Sequence, residues 1–160
     1  MDELWKPCRR IAVVGTRDIT PYGREWCVRT VAGLSRSKEK PVIVSGLALG
    51  TDFCAHKAAL ESGLATIGVM ATGPETVYPH RHREFAERLC ETPGCALVTD
   101  YPPGTAPLAI HFLRRNRIIA GLSDSTILIE SKIKGGGMMT CRLAFSYSRD
   151  VYALPGRADD

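Results

Sequence analysis

Val42-Ile43-Val44-Ser45-Gly46-Leu47-Ala48-Leu49-Gly50-Thr51-Asp52 is the stretch whose reading fixes the fold class. Three branched apolar residues in succession, without the alternation of a half-solvated strand, describe a strand covered on both faces. The glycine-bounded loop behind it opens a segment of helical length, Thr51 to Ser62, which stops at Gly63, where a glycine takes the left-handed cap conformation. Such a loop, entering a helix from a buried strand, presents free backbone N–H groups to an anion.

Outward from this unit the pattern repeats. Short apolar runs lie at Ile11–Val14, Ala65–Met70, Ala96–Val98, Thr126–Ile129 and Val151–Leu154. Helical segments fall between them. The first has Thr20 as N-cap and Pro21 at its first position and runs through Leu34. The others cover about His80 to Glu91, Phe112 to Leu122 and Met138 to Arg149. Regular alternation of strand and helix predicts an α/β fold, a doubly wound, mostly parallel sheet of about six strands with helices on both faces, Rossmann-like. At 160 residues the chain fits one domain, and it shows neither repeat nor linker.

The longest stretches free of Asp, Glu, Lys and Arg are Ser62–Pro74 and Tyr101–Leu113, too short for the roughly 20 apolar residues of a bilayer-spanning helix. Acids stand in Met1-Asp2-Glu3-Leu4-Trp5-Lys6-Pro7 where a signal peptide carries its basic region, so a cytoplasmic address is expected. The six cysteines, at 8, 27, 54, 90, 95 and 141, include no pair with the spacing of a zinc knuckle or redox motif. They read as free, mostly buried thiols. His80, His82, Cys90 and Cys95 form the nearest metal-like grouping, but the two histidines project to different sides of a helix. No metal or cofactor is expected. The net charge of +4 is concentrated in residues 1–40, where nine Lys and Arg face five Asp and Glu.

In an open parallel sheet the ligand crevice lies at the carboxyl ends of the strands. Three glycine loops converge there: Gly15-Thr16-Arg17 after the first strand, Gly46 to Asp52 with Gly50 and Thr51 after the second, and Gly135-Gly136-Gly137, with Thr140 one turn on, after the fifth. Each alone also serves simply as a strand-to-helix turn; together they favour an anion crevice. No Lys-Ser or Lys-Thr follows the glycines as in a Walker A loop, and the G-x-G-x-x-G fingerprint is missing.

Phe112-Leu113-Arg114-Arg115-Asn116-Arg117-Ile118-Ile119-Ala120-Gly121-Leu122 places Arg115 in the middle of an apolar helical face, in the first turn, while Arg117 points away. An inward arginine needs a partner, either Glu130 at the end of the fifth strand or a bound phosphate. Arg114, Arg117, Lys132 and Lys134 extend the basic rim or are solvated surface, and Asn116 is a further candidate contact to DNA or phosphate. Asp52 and His56, four residues apart on one helix, read as a capping carboxylate and a hydrogen-bonded histidine rather than an acid–base pair. The aromatics of Tyr78-Pro79 and Tyr101-Pro102-Pro103-Gly104 either stack on bases or cover the end of the sheet.

These residues carry a resemblance. Ala12 to Arg17, Val44 to Asp52 with His56, Tyr78-Pro79, Tyr101 to Thr105 and the Arg-Arg-Asn-Arg-Ile-Ile-Ala-Gly-Leu run resemble the DNA-processing protein A family, also called Smf, over about residues 10 to 156. The resemblance implies a Rossmann-like domain that binds single-stranded DNA without sequence preference, forms homodimers and helps place a RecA-type recombinase on incoming DNA in natural transformation, with no catalytic reaction. It implies that Arg17 is the arginine of the family's Gly-Ser-Arg turn, with Thr16 for serine, and that Gly136, Gly137 and Thr140 match its Gly-Ser-x-x-Thr loop. Leu49 stands where the family carries arginine. The end of the chain soon after Pro155-Gly156 implies that the domain's last helix and any winged-helix extension are not included. The enzyme alternative, a nucleotide-binding or nucleoside-monophosphate phosphoribohydrolase-like protein, would place a glutamate where Leu143 follows Thr140.

Overall fold

A computed structural model describes residues 8–160; the opening segment read for a signal peptide lies outside them. The elements are β1 (Arg10–Val14), α1 (Pro21–Leu34), β2 (Val42–Ser45), α2 (Thr51–Glu61), β3 (Thr66–Val69), α3 (Arg83–Glu91), β4 (Ala96–Val98), α4 (Ala109–Leu122), β5 (Ser125–Leu128), α5 (Gly136–Ser146) and β6 (Asp150–Ala153). They form one sheet of order β4-β3-β2-β1-β5-β6, and every neighbouring pair is parallel. The expected doubly wound architecture is therefore present, with a sheet that is wholly rather than mostly parallel.

Two apolar layers sandwich the sheet, because successive residues of a strand face opposite sides. Val13 and Ile43 pack with Cys27, Val31, Ala55 and Ala59 of α1 and α2. Ala12, Val14, Val44 and Val69 pack on the other face with Ile119 of α4 and Cys141 of α5. Each fully buried valine or isoleucine contributes about 1.5–3 kcal/mol. Strands β2 and β3 are buried throughout. Edge strand β6, by contrast, is exposed at all four residues.

The helix starts depart most from expectation. Helix α4 begins at Ala109, so Arg115 sits in its second turn and not its first. Its opening is invisible to an apolar-face criterion because Leu108, Ile110 and Leu113 are exposed. Helix α5 begins inside the glycine run at Gly136, with extended Gly135 as N-cap, so two glycines assigned to a loop form its first turn. The segment from His80 splits into a 3-10 turn, His80–His82, and α3. Among the described residues no helix is long and apolar enough to cross a membrane, and no His, Cys, Asp and Glu cluster suits a metal. Cys27, Cys54, Cys95 and Cys141 are buried free thiols, Cys8 is half-buried, and Cys90 is exposed.

Candidate nucleic-acid interface

The strand order reverses direction between β1 and β5, and a cleft of about 350 Å³ opens at their carboxyl ends. Gly15, Thr16 and Arg17 form one wall, Lys132, Gly136, Gly137 and Thr140 another, and Phe112, Arg115 and Asn116 of α4 reach in from the side. Asp52 and Asp18 also face it.

The first loop is fixed by its neighbours. The Thr16 N–H donates to the Glu130 carbonyl at 2.7 Å, and the Thr16 carbonyl accepts from the Thr51 N–H and hydroxyl, both at 3.0 Å. Gly15 permits this convergence, since a Cβ there would lie 2.5 Å from Thr51 Oγ1 and 2.8 Å from the Glu130 carbonyl. Gly50, at φ +75°, supports the same loop from below; a side chain there would be strained and would strike the Thr16 and Arg17 backbone. Thr51 is fully buried, so it braces the loop, and neither it nor Gly50 lines the cleft.

Arg115 does not pair with Glu130. That carboxylate instead serves α1, accepting from the Thr20 N–H at 2.9 Å and from the Thr20 hydroxyl, while the same hydroxyl caps the helix by accepting from the Gly23 N–H at 3.1 Å. Arg115, 4% exposed, directs Nη1 to the carbonyls of Gly46 at 2.5 Å and Val69 at 2.6 Å, at the carboxyl ends of β2 and β3. Gly46 is thus buried beneath the guanidinium and is not part of the cleft wall. Burial pulls the Arg115 pKa down and the nearby Asp52 carboxylate pushes it back up. Asp52 in turn is raised by burial, against the pull of Arg115. It does not cap α2 as expected: Gly50 is the N-cap, and the carboxylate accepts from the Ala48 N–H at 3.3 Å, closing the loop before the helix.

His56 is hydrogen-bonded as expected, but to Thr66 Oγ1 at 2.7 Å and not to Asp52. His82 is buried, bonds the Leu47 carbonyl at 2.8 Å and stacks on Phe53 at 4.3 Å. It is occupied in holding the second loop, whose Leu47 has a φ of 59°.

Phe112 was not singled out by pattern, yet it organises the mouth. The Arg17 and Arg115 guanidinium carbons lie 5.2 and 5.6 Å from its ring centre, and the Tyr78 ring lies at 5.3 Å. Tyr101 instead packs on His111 at 4.3 Å. Arg114 and Lys134 are exposed and do not line the cleft, whereas Lys132 and buried Asn116 do. The cleft so assembled has exposed Arg17, the first turn of α5 with its free N–H groups, and Lys132 converging on one volume, which is chemistry for a phosphate oxygen.

A family model described as DNA recombination-mediator protein A matches residues 3–160. The chain belongs to the DNA recombination-mediator protein A family. Protein Smf of Escherichia coli is 42% identical over 147 residues, which is 92% of this chain and 38% of that protein. The crystal structure of DprA from Streptococcus pneumoniae superposes with a TM-score of 0.88 at 38% identity, covering 99% of this chain and 54% of the other. DprA from Helicobacter pylori, described for its single-stranded DNA binding mode, superposes at 0.86 with 30% identity, covering 99% and 70%. The chain spans about a third to a half of the length of the curated DprA and Smf relatives it matches. The switch-point cleft thus belongs to a DprA-type sheet, and the resemblance read from its glycine loops and arginine run holds over the whole described chain.

Proposed function

We propose that the cleft binds single-stranded DNA without sequence preference, as one Rossmann-like domain of a cytoplasmic recombination mediator that delivers the strand to a RecA-type recombinase in natural transformation. The convergence of Arg17, Lys132 and the α5 amino terminus on one concave volume carries this reading. All are donors to phosphate, which is common to every nucleotide, and none is arranged to read a base edge. Membership of the family and the binding mode reported for the Helicobacter pylori protein support it. The phosphoribohydrolase alternative has less support: Leu143 stands at the glutamate position, and Asp52, a carboxylate facing the cleft, is engaged by Ala48.

With about three phosphates neutralised, log affinity for an oligonucleotide falls against log salt with a slope of about −2. Because Arg17 is exposed, Arg17→Ala leaves the melting temperature unchanged and weakens binding by about 1–3 kcal/mol. Fluorescence anisotropy across a salt series, with duplex and mononucleotide alongside, is the test. Normal binding by Arg17→Ala, or equal affinity for duplex, would sink the assignment.

The same reading makes the protein a homodimer. Phe145, Tyr147, Val151 and Tyr152 leave large apolar surface exposed on and around α5 and β6, away from the cleft, where a second copy can cover it. Sedimentation is expected to give a dimer at micromolar concentration that Phe145→Glu and Tyr152→Glu convert to monomer. A wild-type monomer under those conditions contradicts the dimer.

A further inference from the structure

Ile133 occupies the tip of the turn Lys132-Ile133-Lys134-Gly135, between β5 and α5, and is 79% exposed. The turn is closed: the Gly135 N–H donates to the Lys132 carbonyl at 2.8 Å and the Ser131 hydroxyl donates to the same carbonyl at 2.9 Å. An isoleucine held in water at the tip of a closed turn adds nothing to the core, and neither flanking lysine is engaged in an ion pair with a described residue. The base of the turn, Ser131, Lys132 and Gly135, lines the anion cleft, so the apolar tip stands at its rim with one cation on either side.

We infer that Ile133 is a base-contacting wedge, its side chain covering an unstacked nucleobase while Lys132 and Lys134 meet the flanking phosphates of a single strand. The inference rests on the single-strand reading proposed above and adds to it an apolar contact that phosphate recognition does not supply. An apolar side chain bracketed by cations matches a chain that alternates anionic phosphate with an apolar base face. In a duplex those faces are stacked and hidden, so the contact favours the single strand. An anionic bilayer suits the geometry less well, because one isoleucine beside a concave site offers too little apolar area for stable anchoring.

The experiment pairs an oligothymidylate with an abasic strand of equal length and charge and measures affinities of wild type, Ile133→Ser, Ile133→Leu and Lys132→Gln/Lys134→Gln. Ile133→Ser is expected to lose about tenfold on the oligothymidylate, as the burial of one aliphatic side chain implies, and nothing on the abasic strand. Ile133→Leu retains affinity, and the double lysine variant lowers the salt slope by about 1.4. Wild type that binds the oligothymidylate while Ile133→Ser loses equally on both strands, or on neither, overturns the wedge and leaves the single-strand reading intact. Wild type that binds neither strand overturns both. Ile133-dependent cosedimentation with phosphatidylserine vesicles, with oligonucleotide binding insensitive to Ile133, assigns the tip to a bilayer and also overturns the wedge.

Discussion

Replacing Arg115 with alanine is expected to destabilise the fold by about 3–5 kcal/mol, the cost of breaking a buried charge network from one side. The guanidinium holds the Gly46 and Val69 carbonyls together at 2.5 and 2.6 Å, and both would lose that donor on truncation. Asp52, 8% exposed, would lose its opposing charge in a setting that already disfavours its ionised form. For a chain of this size the loss corresponds to a fall in melting temperature of about 10 °C. Arg115→Lys recovers little, since an ammonium is a compact, strongly hydrated charge that costs more to bury than the guanidinium whose Nη1 meets both carbonyls. Adding Asp52→Asn to Arg115→Ala restores part of the loss, because the stranded carboxylate is then neutral. A melting temperature within 2 °C of wild type for Arg115→Ala would refute this role. The contrast with Arg17 matters for function: weaker DNA binding by an Arg115 variant is confounded by its lost stability, whereas Arg17→Ala tests the cleft alone.

Acid lability centred on His56 is the second large effect. Thr66 Oγ1 donates to the Ile43 carbonyl at 2.9 Å, so its contact with His56 at 2.7 Å uses the Nδ1–H as donor. Nε2 is then the unprotonated nitrogen, buried without a partner among the described residues. Protonating it places a charge in the core. Burial first, then the neighbouring His82 and Arg115, hold the His56 pKa down at about 3, from an ordinary 6.5. A depressed histidine is neutral in the native state while the unfolded chain takes up the proton. Its contribution is therefore complete above pH 6.5 and is lost as pH falls through the window to 3. At 1.36 kcal/mol per unit the loss amounts to about 4 kcal/mol by pH 3. Asp52 works in the opposite sense: its raised pKa lets the native state take up a proton that the unfolded chain releases until pH 3.8, which offsets part of the loss. The net expectation is a urea midpoint that falls steadily below pH 6.5, and a flatter profile for His56→Asn, which starts from lower stability at neutral pH. An equal acid slope in both proteins would assign the lability elsewhere.

The sequence by itself determined the architecture and the rim. Branched runs without alternation, such as Val42 to Val44, require cover on both faces, and helices between them require parallel pairing; these are local patterns with one economical solution. Gly15-Thr16-Arg17 and Gly136-Gly137 were legible for the same reason, because a glycine loop between strand and helix has its place on the carboxyl edge set by chain direction alone. Tertiary structure decided the partners. Arg115 was recognisable as an inward cation, but whether Glu130, phosphate or a carbonyl would receive it depended on the α4 start at Ala109 and on the Thr20 hydroxyl claiming Glu130, neither of which leaves a periodic signal. Gly46, Gly50 and Thr51 belong to the loops that were read, yet they lie beneath the cleft as its support, since a loop has an inner and an outer side that spacing does not distinguish. Phe112 gains its place between two guanidinium groups only because β1 ends and α4 begins, nearly a hundred residues apart in sequence, at the same corner of the sheet. Periodicity reports which side of an element faces the core; which groups meet there is fixed by long-range packing, and that is where the site was made.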